Sequence, residues 1–354
     1  MRTNRQYTIG ILADDLTSAA DGAAPFVQRG LRALVGRRRL PLQQAPVLAV
    51  DCGSRSLQAS QAAQRASELA AQLASRDVLY KTVDSTLRGH VRAEIEAAFI
   101  ASGRKTLVFA PAFPGAGRTT VGGVQLVDGI PVAESGYGRD PVHPARHSRL
   151  VELVPSSIGN VVILDAATQG ELDAKIAALP DPEAILWVGS PGMALTLAKW
   201  FAPAQVTSDV ALAGGSEILV VVGSANPRSR RQADRIGVEH GVALLRAPVE
   251  RIDDPHSILR DIAQTAARKL VDERFDVVIA TGGDTMEAIL DGLDISAFEI
   301  LQELEPGFPL GRAFLENGRE LLIAMKAGGF GDDNTLHRAI EQLRLDASVS
   351  GQVL

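Results

Sequence analysis

Short apolar runs alternate with segments of helical periodicity along most of the chain. Runs at 9–13, 47–50, 78–81, 106–110, 161–164 and 185–188 are almost wholly apolar, the mark of strands buried on both faces. Helix patterns follow at 19–29, 60–73, 91–101, 169–178 and 193–200. Such alternation predicts βαβ units, and so an α/β fold with mainly parallel sheets flanked by helices. From 202 to 215 the chain turns Ala-, Pro- and Gly-rich and loses its period, which sets a domain boundary: 1–207 and 208–354. The second part reads as strand 218–222, helix 229–239, strand 242–245, helix 255–271, strand 276–280, helix 285–291, strand 320–325 and helix 333–344. The Gly- and Pro-rich stretch 113–147 is too long for a connector and predicts a functional loop or small subdomain.

Polar residues concentrate where the predicted strands stop. Asp14 and Asp15 end the first, and ligands of open α/β sheets collect outside the carboxyl ends of strands. After the third come Lys81, Thr82, Val83, Asp84, Ser85, Thr86, Leu87 and Arg88. One of Asp84, Ser85 and Thr86 is expected to cap the next helix. The functional reading puts Lys81 and Arg88 on an anionic substrate and Asp84 on a hydroxyl, because guanidinium forks match carboxylates and carboxylates accept hydroxyl protons. Arg55 adds a cation after the strand at 47–50. In the second part, Gly282, Gly283, Asp284 and Thr285 form one strand-to-helix turn, and Gly328 and Gly329 lie in another after Lys326. Glycines there let backbone N–H groups and a positive helix end approach phosphate. Ser224, after 218–222, is a further contact candidate.

Composition narrows the class. A length of 354 residues suits two domains, and plentiful aliphatic residues and glycine with few aromatics suit helix-wrapped parallel sheets. The net charge of −6 gives no global attraction to nucleic acid or to an anionic membrane. The run Arg37-Arg38-Arg39 is expected to be a solvated turn. A single cysteine, Cys52, excludes a disulfide framework and a cysteine metal cage, and fits a reducing compartment. With no export signal and no bilayer-length apolar stretch, the expected location is cytoplasmic. No G-x-x-x-x-G-K-[ST] loop, no strand-following G-x-G-x-x-G and no H-E-x-x-H occurs, and Pro144 between His143 and His147 argues against a helical metal pair.

Taken together, "ILADDLTSAADGA" from 11, "KTVDSTLRGHVRAEIEAA" from 81, "APAFPGAGRTTVGGVQLVDGIPVAES" from 110, "TGGDT" from 281 and "KAGGFG" from 326 resemble the four-carbon acid sugar kinase family. The resemblance implies an N-terminal acid-sugar domain, a C-terminal nucleotide domain and an active site in the cleft between them. It implies that Asp14, Arg55, Lys81, Thr82, Val83 and Asp84 touch the sugar acid, and that Ser224, Gly282 to Thr285 and Gly328 hold ATP. Arg118 is a further candidate for the acid or the phosphates. Ser18 and Met325 stand where the family often has Gly and Thr.

The implied reaction is transfer from ATP, with Mg²⁺, to O4 of D-threonate, with D-erythronate, L-threonate and 3-oxo-tetronate as alternatives. Phosphoryl transfer passes through a loose transition state and asks mainly for positioning and charge neutralisation. Asp84, or Asp15 beside Asp14, is then the proton acceptor, and Asp284 is a candidate for orienting metal or nucleotide. The metal ligands stay open. A homodimer is the expected assembly. The competing readings are another kinase type using the Gly-Gly-Asp turn and a two-lobed sugar-acid binding protein.

Overall fold

The computed structural model describes residues 6–140, 143–202, 214–224, 226–237, 239–248, 255–273 and 275–350. The chain divides into two compact units, Met1–Val206 and Thr207–Leu354. The boundary expected at 207/208 lies outside the described residues.

The first unit runs β1 (Ile9–Ala13), α1 (Leu16–Val27), β2 (Ala33–Arg37), β3 (Val47–Asp51), α2 (Ala59–Leu73), β4 (Val78–Thr82), α3 (Val91–Ser102) and β5 (Thr106–Ala110). Next come β6 (Arg118–Val121), β7 (Val124–Val127), β8 (Ile130–Pro131), β9 (Val161–Ile163), α4 (Gln169–Ala177), β10 (Ile185–Gly189) and α5 (Pro191–Phe201). Its parallel sheet has the order β2-β3-β1-β4-β10-β5-β9. The inner strands β1, β3, β4 and β10 are buried at every residue, because helices cover both faces. One face is filled by Leu12, Val50, Leu79, Ile95, Phe109 and Val188.

The path of the chain creates the site. From β1 it moves past β3 to β2, whereas from β3 it moves past β1 to β4. Right-handed crossovers in opposite directions put α1 and α2 on opposite faces. The chain leaving β1 therefore parts from the chains leaving β3 and β4, and a crevice opens at their carboxyl ends. Register sets Ala13 opposite Asp51 and Leu12 opposite Lys81, so the residues that follow emerge side by side. The stretch 113–147 contains a small antiparallel sheet, β6-β7-β8, with several 3-10 turns.

Two expectations for this unit are corrected. Arg37 is not in a solvated turn: it is the last residue of β2 and is buried, while Arg38 and Arg39 are exposed. None of Asp84, Ser85 and Thr86 caps α3, whose N-cap is His90 without a side-chain bond.

The second unit runs β11 (Ile218–Val222), α6 (Pro227–Asp234), β12 (Val242–Arg246), α7 (Pro255–Asp272), β13 (Val277–Thr281), α8 (Gly283–Gly292), β14 (Ala297–Glu305), β15 (Phe308–Phe314), β16 (Glu320–Lys326) and α9 (Thr335–Ser350). Its strand order is β12-β11-β13-β16-β15-β14, parallel as far as β16 and antiparallel beyond. The hairpin β14-β15 is absent from the sequence-based expectation, and α6 stops at Asp234 where 239 was expected. Among the described residues no helix is long and apolar enough to cross a membrane.

Candidate active site

At the carboxyl end of β1, Asp15 caps α1 by accepting the Ser18 amide at 2.7 Å. Arg55, beyond β3, donates through Nε to Asp14 Oδ2 at 2.8 Å and pairs through Nη1 with Asp15 Oδ2. The loop after β4 closes over this group. Gly89, at φ +90, lies so near that a Cβ there would sit 3.2 Å from Asp14 Oδ2. Asp84 Oδ2 accepts from Thr86 Oγ1 at 2.6 Å and pairs with Arg88, which reaches Asp140 Oδ2 at 3.4 Å. Two buried oxygens here, Asp14 Oδ1 and Thr82 Oγ1, have no hydrogen-bond partner. Buried polar atoms are normally satisfied, so both are natural acceptors or donors for a hydroxylated ligand.

Lys81, which the sequence reading puts on an anionic substrate, already has a buried counter-ion in the structure. It is fully buried, donates to Glu94 Oε2 at 2.8 Å and to the Thr82 carbonyl at 2.7 Å. Glu94, in the first turn of α3, also accepts from Ser54 Oγ at 2.6 Å. This buried pair ties the ends of β3 and β4 to α3 beneath the carboxylates. Sequence reasoning missed Glu94 and Gln125. Gln125, on β7, donates to the Ser85 carbonyl at 2.8 Å and the Pro111 carbonyl at 3.1 Å, fixing the small sheet to the loop after β4. Arg118 donates to Tyr137 Oη at 2.9 Å, and the Arg88 guanidinium lies 5.4 Å from the centre of the same ring.

Charge divides the carboxylates. Burial pushes Asp14 up, yet Arg55 and Lys81 outweigh it and hold the group below its usual range. Burial keeps Asp15 above its usual range, opposed by Arg55 and aided by the Asp14 charge. Asp84 is buried too, but Arg88 and Arg55 hold it well below the ordinary carboxylate range. The Cys52 thiol is pushed well up by burial and by the Glu94 charge, which rules it out as a ready nucleophile.

In the second unit three strand ends again come together. A Cβ on Gly223, after β11, would overlap Thr285 Oγ1, and one on Gly328, after β16, would overlap Ser224 Oγ. Gly282, at φ +95, lies against both: its Cβ would sit 3.4 Å from Thr285 Oγ1 and 3.6 Å from Ser224 Cβ. Ser224, Gly282, Thr285 and Gly328 thus form one cradle. Gly283 and Asp284 open α8, whose N-cap is Gly282 without a side-chain bond, so the first amides are left for a ligand. The Thr281 hydroxyl is buried there without a partner. Gly329 follows Gly328, with a Cβ position 3.5 Å from Asn226 Nδ2. Burial and the nearby Arg228 push the Lys326 ammonium down to about 8. These features fit a polyphosphate. Among the described residues no cluster of three or more His, Cys, Asp or Glu could form a protein-built metal cage.

The chain is 32% identical to a D-threonate kinase of Bordetella bronchiseptica, over 95% of this chain and 97% of that one. It belongs to the four-carbon acid sugar kinase family. Residues 9–160 match the family model described as a sugar-binding N-terminal domain, and residues 251–336 the one described as a nucleotide-binding C-terminal domain. A 3-oxo-tetronate kinase of Methylobacterium radiotolerans is 27% identical over 95% of this chain and 99% of its own. A crystal structure from Salmonella typhimurium LT2 has the same fold, with a TM-score of 0.78 at 20% identity, covering 95% of this chain and 99% of that one. As a member of this kinase family the chain is an enzyme that uses ATP as phosphoryl donor.

Proposed function

We propose that the protein transfers the γ-phosphoryl group of ATP to O4 of a four-carbon sugar acid, D-threonate first, giving 4-phospho-D-threonate. The observation that carries this reading is the crevice at β1, β3 and β4, where Asp14 pairs with Arg55 and keeps its Oδ1 unpartnered, and where Thr82 Oγ1 at the end of β4 is unpartnered too. An acid with several hydroxyls would satisfy both atoms and bring a carboxylate for the cations. D-threonate comes first because the Bordetella relative bears that name, and the Methylobacterium name keeps 3-oxo-tetronate as the runner-up. D-erythronate and L-threonate differ from D-threonate only in hydroxyl configuration and complete the set.

In this reading Arg55, Arg88 and Arg118 draw in the carboxylate and orient the hydroxyls. Lys81, held by Glu94, acts beneath them by keeping Asp14 ionised, with Thr82 and Val83 shaping the wall. Asp84 accepts the proton of O4, its Oδ2 fixed by Thr86 and Arg88, and Asp15 is the alternative acceptor. Ser224, Gly282, Gly283, Asp284, Thr285, Gly328 and Gly329 receive the nucleotide, with α8 amides toward its phosphates. Mg²⁺ would arrive on the phosphates, since such ions keep waters and take few protein ligands, and Asp284 is the candidate carboxylate for orienting it. It would supply charge neutralisation for the transferring phosphoryl group.

The test is ADP release with Mg·ATP against D- and L-threonate, D- and L-erythronate and 3-oxo-tetronate. Turnover highest on D-threonate is expected. Preference for another acid of the panel would move the substrate, and no turnover on any of them would overturn the reading.

A further inference from the structure

The glycine loop after β16 is held open by side chains from outside it. Lys326 Nζ donates to the Ala327 carbonyl at 2.8 Å and the Phe330 carbonyl at 3.0 Å. Ser229 Oγ donates to the Gly328 carbonyl at 2.9 Å, and Arg228 Nη1 to the Gly329 carbonyl at 2.9 Å. Gln232 Nε2 donates to the carbonyls of Phe330 at 3.1 Å and Asp332 at 2.6 Å. Four successive carbonyls, 327 to 330, are therefore all drawn toward α6 and Lys326. Every peptide bond in the described chain is trans. In a planar trans peptide the N–H points opposite to the C=O. The amides of Gly328, Gly329 and Gly331 are thus turned to the other side, while that of Phe330 closes the turn onto Ala327. Successive amides facing one way make an anion-binding concavity.

Arg228, Ser229 and Gln232 stand at i, i+1 and i+4 on α6, on neighbouring faces of a helix whose start is fixed by Pro227 and by Asn226, which accepts the Arg228 amide at 2.9 Å. Ser229 and Gln232 are fully buried. Burying two uncharged polar side chains to satisfy the carbonyls of one glycine loop is costly unless the loop needs its shape.

We infer that Ser229 and Gln232 of α6 are positioning residues for nucleotide phosphate: by fixing the carbonyls of 328 and 330 they aim the loop amides at the polyphosphate of ATP without touching it. This rests on the nucleotide site of the proposed function. The experiment measures Mg·ATP binding by calorimetry, and KM for ATP and for the acid separately, in the wild type, Ser229→Ala, Ser229→Thr and Gln232→Met. Ser229→Ala and Gln232→Met are each expected to weaken ATP binding and raise KM for ATP about three- to tenfold. KM for the acid at saturating ATP should stay within about twofold, and Ser229→Thr, which keeps the hydroxyl, should restore ATP affinity. Unchanged ATP affinity in both variants would overturn the inference, as would equal shifts in both KM values or a lowered melting temperature without rescue by threonine. Should Gln232→Met fail to fold, the Ala and Thr variants of Ser229 decide alone. A wild type that binds no Mg·ATP would instead sink the nucleotide site itself, an outcome seen before any variant is compared.

Discussion

Asp15 and Asp84 sit in one crevice and are driven apart by their surroundings, which makes the proton acceptor an electrostatic question. A carboxylate base works only when ionised. Asp84, held low by its arginines, stays ionised through the whole assayable range, so kcat should be flat from pH 8 down to about 5. An acid limb above about pH 4 that vanishes in Asp15→Asn would transfer the role to Asp15, the group held above its usual range. Asp84→Asn should lower kcat by about 10²- to 10⁴-fold. Lys326 is the other group whose titration ligand binding should move. Its ammonium is pushed down to about 8 by burial and Arg228, and a bound polyphosphate would raise it again. ATP binding near pH 8.5 should therefore take up a fraction of a proton, about half or more. Calorimetry in buffers of different ionisation enthalpy measures that uptake, and its absence, or its persistence in Lys326→Met, would refute the link.

The elements that bear the site stand where the hydrophobic pattern put them, because strands buried on both faces leave a continuous apolar signature: 9–13, 106–110 and 218–222 match to the residue. The pattern failed at β14, where Glu299, Glu303 and Glu305 interrupt a hairpin strand with one half-exposed face. Pro306-Gly307, with Gly307 at φ +74, was the available turn signal. Individual candidate residues were legible where they follow shortly after a strand, as with Asp14, Arg55 and Ser224. Glu94 and Gln125 were not, since Ser54 and Ser85, which they bond, each lie 40 residues away and only the topology brings them together. Glu94→Gln leaves the Lys81 charge buried beneath β3 and β4 without its counter-ion, and should cost about 3–5 kcal/mol. Chemical denaturation measures the loss. A change under about 1 kcal/mol would mean that the pair does not hold these strand ends together.

For the whole molecule, the proposed in-line transfer requires the acid's O4 and the γ-phosphorus to come within about 3–3.5 Å in a volume closed to water. Sugar acid together with a non-hydrolysable ATP analogue is therefore expected to reduce the radius of gyration in small-angle scattering, and each ligand alone to do so less. No compaction with both would count against closure. The lone thiol of Cys52 gives a complementary view of the same molecule. Fully buried at the foot of the crevice, and held protonated by its surroundings, it cannot meet a thiol reagent until the first unit opens. The speed at which the dye colours a native sample is thus a clock for that opening. A sugar acid seated above it should slow the clock in proportion to occupancy, so that affinity for the acid can be read with no nucleotide present and no turnover at all.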